Sequence, residues 1–140
     1  MLAYPYGIYQ YIFLVVFFIH PTHIYIGIYY EFYHCAFMGV LLYLTSLIYW
    51  INPLLNSNRR IIDIIVAKLS ITYHVYLSLY SKNKIYTTFP MLFGISLYYF
   101  SFYLCKINFI KTAAFSHAML HIIISISASI TYIDLKKIDN

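Results

Sequence analysis

The segment SHAMLH, residues 116–121, sets two imidazoles four residues apart, His117 and His121, at the head of an apolar stretch. Residues at i and i+4 share a helix face. Two imidazoles so placed can hold a zinc ion, and a nearby carboxylate can be a third ligand or orient a bound water. The carboxylate on offer is Asp63 in RRIIDIIVAK, and LTSLIYWIN adds Thr45, Ser46, Tyr49 and Trp50. The blander reading is that the histidines hydrogen-bond to neighbouring helices, Ser116 or lipid headgroups, because polar side chains inside a membrane also serve as packing glue. Ser125 and Ala128 continue the same face with small residues.

A second polar set comprises His20 and His23 around Pro21, then Glu31, His34 and Cys35, with His74 further along. Glu31 and His34 are i and i+3 and share a helix face. A carboxylate metal site of the ExxH kind needs two copies and further glutamates, and here there is one. A buried Glu31–histidine pair sharing a proton is the preferred reading. Asp63, Ala67, Ser70 and His74 form a stripe at helical spacing that suits an interior face.

These groups need elements to hold them, and composition says which. Of 140 residues, 63% are hydrophobic and 9% charged, far from the roughly one-quarter charged residues of a soluble domain. The fold class expected is all-α, a polytopic transmembrane helix bundle in a single domain over residues 1–140. Five continuous apolar stretches supply the spans, at about 4–20, 24–51, 61–80, 85–105 and 112–133, each near the roughly 20 residues a crossing requires. HPTH reads as the first turn. Four spans are the alternative, and a re-entrant pair made by the first two stretches is another. The N-terminus lacks a basic n-region and a small-residue cleavage site, so it reads as a retained span, with a signal anchor as the alternative.

Five spans put the chain ends on opposite membrane faces, here called side A (N-terminal) and side B. Side A carries Arg59, Arg60, Lys106 and Lys111, and side B carries Lys82, Lys84, Lys136 and Lys137. With the basic residues evenly divided, the positive-inside rule does not orient the chain, and which membrane holds it is open. Span two ends on side A and spans three and five begin there, so Ser46, Asp63, His117 and His121 share one face. Lys68 is expected to snorkel to side A or pair with a carboxylate. Cys35 and Cys105 read as buried free thiols. No long basic run or Arg-rich helix points to nucleic acid. The chain has no Walker loop, GxGxxG, CxxC, GxSxG or N-glycosylation sequon.

TSLIYW closing one span, RRIID opening the next and SHAMLH opening the last resemble the alkaline ceramidase and adiponectin receptor (CREST) superfamily. Its pattern is Ser-x-x-x-His, then Asp, then His-x-x-x-His, on a seven-span fold, with many members hydrolysing lipid amides with zinc. The resemblance implies Ser46 and Asp63 in catalytic roles, and zinc on His117 and His121 with Asp63 or water completing the shell. Trp50 stands where the first ligand histidine would be, and two spans fewer are present.

Three functions follow as expectations. The first is a small non-catalytic membrane protein acting through helix packing or membrane organisation. Its partners would be the lipid bilayer and other membrane proteins or a second copy, with no assured cofactor. The alternative is a degenerate zinc-dependent lipid amide or ester hydrolase, as the resemblance implies. The third is an ion or proton conductor built on Glu31, His34, His74 and Asp63.

Overall fold

The structure, a computed structural model, describes residues 3–5 and 7–139. Five helices run in order: α1 Tyr9–Tyr29, α2 Tyr33–Trp50, α3 Asn58–Ser78, α4 Thr88–Lys106 and α5 Ile110–Asp139. Each is long and apolar enough to cross a membrane, and no strand occurs among the described residues. The architecture is that of a multi-pass, all-α membrane protein with five spans.

One boundary differs from the sequence expectation. HPTH is not a turn: His20, Pro21, Thr22 and His23 all lie inside α1. Proline removes one backbone donor from a helix, a defect that membrane helices tolerate because neighbouring groups re-satisfy the freed carbonyls. The Thr22 hydroxyl donates to the Ile19 carbonyl at 2.7 Å. The chain reverses at residues 30–32 instead, where Glu31 takes a left-handed conformation at φ 67°. Phe32 N–H closes the helix end onto the Gly27 carbonyl at 2.8 Å, the six-to-one bond of a Schellman ending. Asn108, at φ 63°, ends α4 in the same way, with Phe109 N–H on the Leu104 carbonyl at 3.0 Å.

The outer surface is largely apolar, and the interior mixes small polar side chains with apolar clusters. Ser46, Ser70, Ser78, Ser101, Ser116 and Ser127 are buried, while Phe18, Leu44, Ile65 and Phe93 face outward. Lipid tails solvate apolar side chains as well as a core does, so small and hydrogen-bonding residues hold the helices together. The buried face of α3 is Asp63, Ser70, His74 and Ser78; three of these belong to the stripe expected from spacing, whose fourth member, Ala67, is half-buried.

Helix α5 is the central post, packed on α4 and α1, and α2 packs on α1 and α3. Helix α3 leans on α2 and barely meets α4 and α5. At side B, the carboxylate of Asp134 on α5 accepts from the Ser81 hydroxyl and from Asn83 N–H at 3.1 Å, tying down the α3–α4 loop. Lys136 Nζ reaches Glu31 Oε2 at 2.6 Å, tying down the α1–α2 turn. At side A, Ala3 N–H donates to the Pro53 carbonyl at 2.7 Å.

Candidate functional site

Because α3 stands away from α4 and α5, a cavity of about 870 Å³ opens between them towards side A. Its polar wall holds Ser46 from α2, Asp63 from α3, and His117 and His121 from α5. The four residues that the sequence placed on one membrane face all line this cavity. Ser46 Oγ donates to Asp63 Oδ1 at 2.6 Å, and Thr45 Oγ1 donates to the same oxygen at 3.3 Å. Two hydroxyls on one carboxylate oxygen orient Asp63 and offset part of its burial. Arg60, Lys68 and Lys106 also line the cavity. Lys68 remains exposed, as a snorkelling lysine would, and Lys106 Nζ sits 5.0 Å over the Phe102 ring.

Trp50 is buried beside the pair, with its indole 5.1 Å from the His117 ring centre. Tyr4 stacks on Trp50 at 6.0 Å and hydrogen-bonds Ser101 Oγ at 3.0 Å. Burial raises the Tyr4 phenol above its ordinary pKa. Among the described residues, no group of three or more His, Cys, Asp or Glu is arranged to hold a metal ion. The zinc expectation on His117, His121 and Asp63 thus gains no support from the geometry.

The structure adds a partner that sequence reasoning places elsewhere. His20, expected on a side B turn, lies mid-span on α1, and its Nε2 is 3.1 Å from His121 Nδ1. From there a column of rings crosses the bundle. Ring centres are 5.3 Å apart for His117–His121, 5.2 Å for His121–His20, 5.3 Å for His20–His23 and 6.4 Å for His23–His74. The column ends where the Tyr132 hydroxyl donates to His74 Nε2. His74 Nδ1 lies 2.7 Å from the Ser70 carbonyl, which can only accept, so Nδ1 carries the proton. The signal available in the sequence is the His20–His23 spacing of i and i+3, masked when Pro21 is read as a turn.

The second expected cluster is not assembled. Glu31 is exposed on the α1–α2 turn and pairs with Lys136, not with a histidine. His34 is exposed and packs its ring against Phe32 and Tyr73. His20, His23, Cys35 and His74 of that set are buried. A glutamate at a left-handed turn lies at the membrane face, where water and a lysine accommodate its charge. Of the residues in the conductor expectation, Glu31 pairs with Lys136, His74 with Tyr132 and Asp63 with Ser46, and His34 is exposed.

Comparison with protein-family models, curated proteins and solved structures finds no match for this chain.

Proposed function

We propose that this multi-pass membrane protein binds a lipid-like amphiphile in the side A cavity. The observation that carries the reading is the two-faced wall of one cavity. Asp63, Ser46 and the cations Arg60 and Lys68 stand on it beside Leu42, Ile64, Ile71, Ile95, Leu120 and Ile124. Its volume of about 870 Å³ falls in the range of small-molecule sites, roughly 300–1,000 Å³. His20, His121 and Trp50 also line the cavity. A bundle acting through helix packing alone gains nothing from such a void, which forfeits dispersion contacts.

The test is native mass spectrometry of the chain purified in mild detergent, beside Leu120→Trp and Ile124→Trp, which fill the cavity. Bound amphiphile in the parent and none in the folded variants supports the reading. No bound species in either returns the protein to helix packing as its role.

A second reading, hydrolysis of a bound lipid amide or ester, is favoured by one observation. Ser46, Asp63, His117 and His121, the positions that resemble the ceramidase and adiponectin receptor pattern, all line this cavity. Zinc content measured on chelator-free protein, with release of fatty acid from a ceramide or ester, separates this reading from binding alone.

A further inference from the structure

The cavity uses only the side A end of the histidine column. His23, His74 and Tyr132 lie beyond it, and their burial calls for its own explanation. Five of the chain's six histidines stand in this column, where leucine or phenylalanine would fill the same space without leaving polar atoms unpaired. His20 Nδ1 and His23 Nδ1 are buried with no partner, which is costly in a membrane interior. The neighbouring helix makes room for the arrangement: a Cβ on Gly39 of α2 would lie 2.8 Å from His23 Nε2 and 2.9 Å from Ile24 Cγ1. Packing alone therefore does not account for the column.

We propose that His20, His23, His74 and Tyr132 form a proton relay joining the side A cavity to the side B end of the bundle. Imidazole suits the task because it both takes up and gives up a proton readily, and its ring can turn between two partners. A proton arriving from side B binds the Tyr132 oxygen as that oxygen passes its own proton to His74 Nε2. The imidazolium so formed turns its Nε2–H from Tyr132 towards His23, passes that proton on and swings back, keeping its Nδ1 proton throughout, so the starting tautomer is preserved. His23 hands a proton to His20 in the same way, and His20, which lines the cavity, releases it there. Each hop breaks one N–H or O–H bond and forms another, so no electrons move and no co-reactant is needed. The His23–His74 step is the longest, at 6.4 Å between ring centres, a gap that ring rotation or one bridging water spans.

The groups packed around these rings leave the path free of a fixed charge that would trap the proton. Helix α2 brings Tyr43 to His20 and His34 into electrostatic reach of His74. Helix α3 brings Tyr73 to His74, and α5 brings His121 to His20. Cys35 shares the apolar cluster of Tyr132. The fixed charges, Asp63, Arg60, Lys68 and Lys106, stand on the cavity wall at the receiving end. At the other end, Tyr132 stacks on Phe32 of the side B turn, with ring centres 5.6 Å apart.

The experiment uses the full chain reconstituted into phosphatidylcholine vesicles containing a pH-sensitive dye, with a potassium gradient and valinomycin imposing the driving potential. The parent is expected to change internal pH faster than protein-free vesicles. His23→Gln and His74→Gln should fall to the protein-free level, and His34→Gln, off the column, should keep the parental rate. Helix content and monodisperse elution establish that each variant is folded. If the histidine variants do not fold, Tyr132→Phe decides the matter, because it keeps the ring and removes only the hydroxyl. Parental flux no faster than empty vesicles overturns the proposal. So does undiminished flux in folded His23→Gln or Tyr132→Phe.

Discussion

His20 Nε2 on α1 and His121 Nδ1 on α5 lie 3.1 Å apart across 101 residues of chain, so one imidazole donates to the other and stitches the first helix to the last. Replacing either ring with leucine strands the other buried nitrogen. Each single change should lower stability by about 1–3 kcal/mol, the penalty of an unsatisfied buried polar group. The double change should cost less than the sum of the two, since no orphan remains. Thermal unfolding in detergent of the four proteins in the cycle reads this coupling directly, and strict additivity would argue against the bond.

Ser46 and Asp63 give a second expectation. The hydroxyl donates to a buried carboxylate at 2.6 Å, and hydrogen bonds to charged groups contribute about 1.5–3 kcal/mol. Ser46→Ala should lower the unfolding temperature clearly, and Thr45→Ala, whose bond is longer at 3.3 Å, should lower it less. Equal effects from the two would mean that the carboxylate is not held as described.

Gly39 and Gly94 are close-approach positions. A Cβ at Gly39 would meet His23 Nε2 at 2.8 Å and Ile24 Cγ1 at 2.9 Å, and one at Gly94 would meet Ile124 Cγ1 at 2.7 Å. Overpacking of this kind costs about 1–3 kcal/mol. Gly39→Ala and Gly94→Ala should each unfold at lower temperature than the parent. Parental stability in Gly39→Ala would mean that α1 and α2 are not pressed together at the His23 ring.

Acid should release the side B clasp. The bond from Lys136 and its positive charge hold the Glu31 carboxyl below its ordinary value of 4.5. A depressed carboxylate pKa adds stability above the ordinary value and loses it as pH falls through the lowered one. The parent's advantage over Glu31→Gln should therefore be level at neutral pH and close in acid, as followed by unfolding at a series of pH values. Because Glu31 sits at φ 67°, Glu31→Gly should be more stable than Glu31→Gln, glycine adopting that conformation without a Cβ clash.

Hydropathy makes the five helices legible, and helical spacing makes the buried stripe of Asp63, Ser70 and His74 legible. The placement of Ser46, Asp63, His117 and His121 at one membrane face follows from counting spans, which fixes which end of each helix meets which face. The first hairpin is displaced from its expected place because Pro21 is a strong local breaker in water and a weak one among helices. The real turn rests on one glutamate and a backbone conformation that composition does not announce. That shift moves His20 and His23 from a membrane face into the interior, where they complete the histidine column. Ring-to-ring contacts between α1, α3 and α5 depend on helix rotation, which short polar motifs leave undetermined.

The 30 residues of α5 amount to about 45 Å of helix, against roughly 30 Å of hydrocarbon. Even a steep tilt of about 40° would leave the helix a turn too long. The excess emerges on side B, where Asp134 and Lys136 grip both neighbouring connections. The molecule is thus taller at its α5 post than along α2, whose 18 residues make about 27 Å. Helix α2, packed on α1 and α3, matches the hydrocarbon thickness while the post stands proud of it on side B.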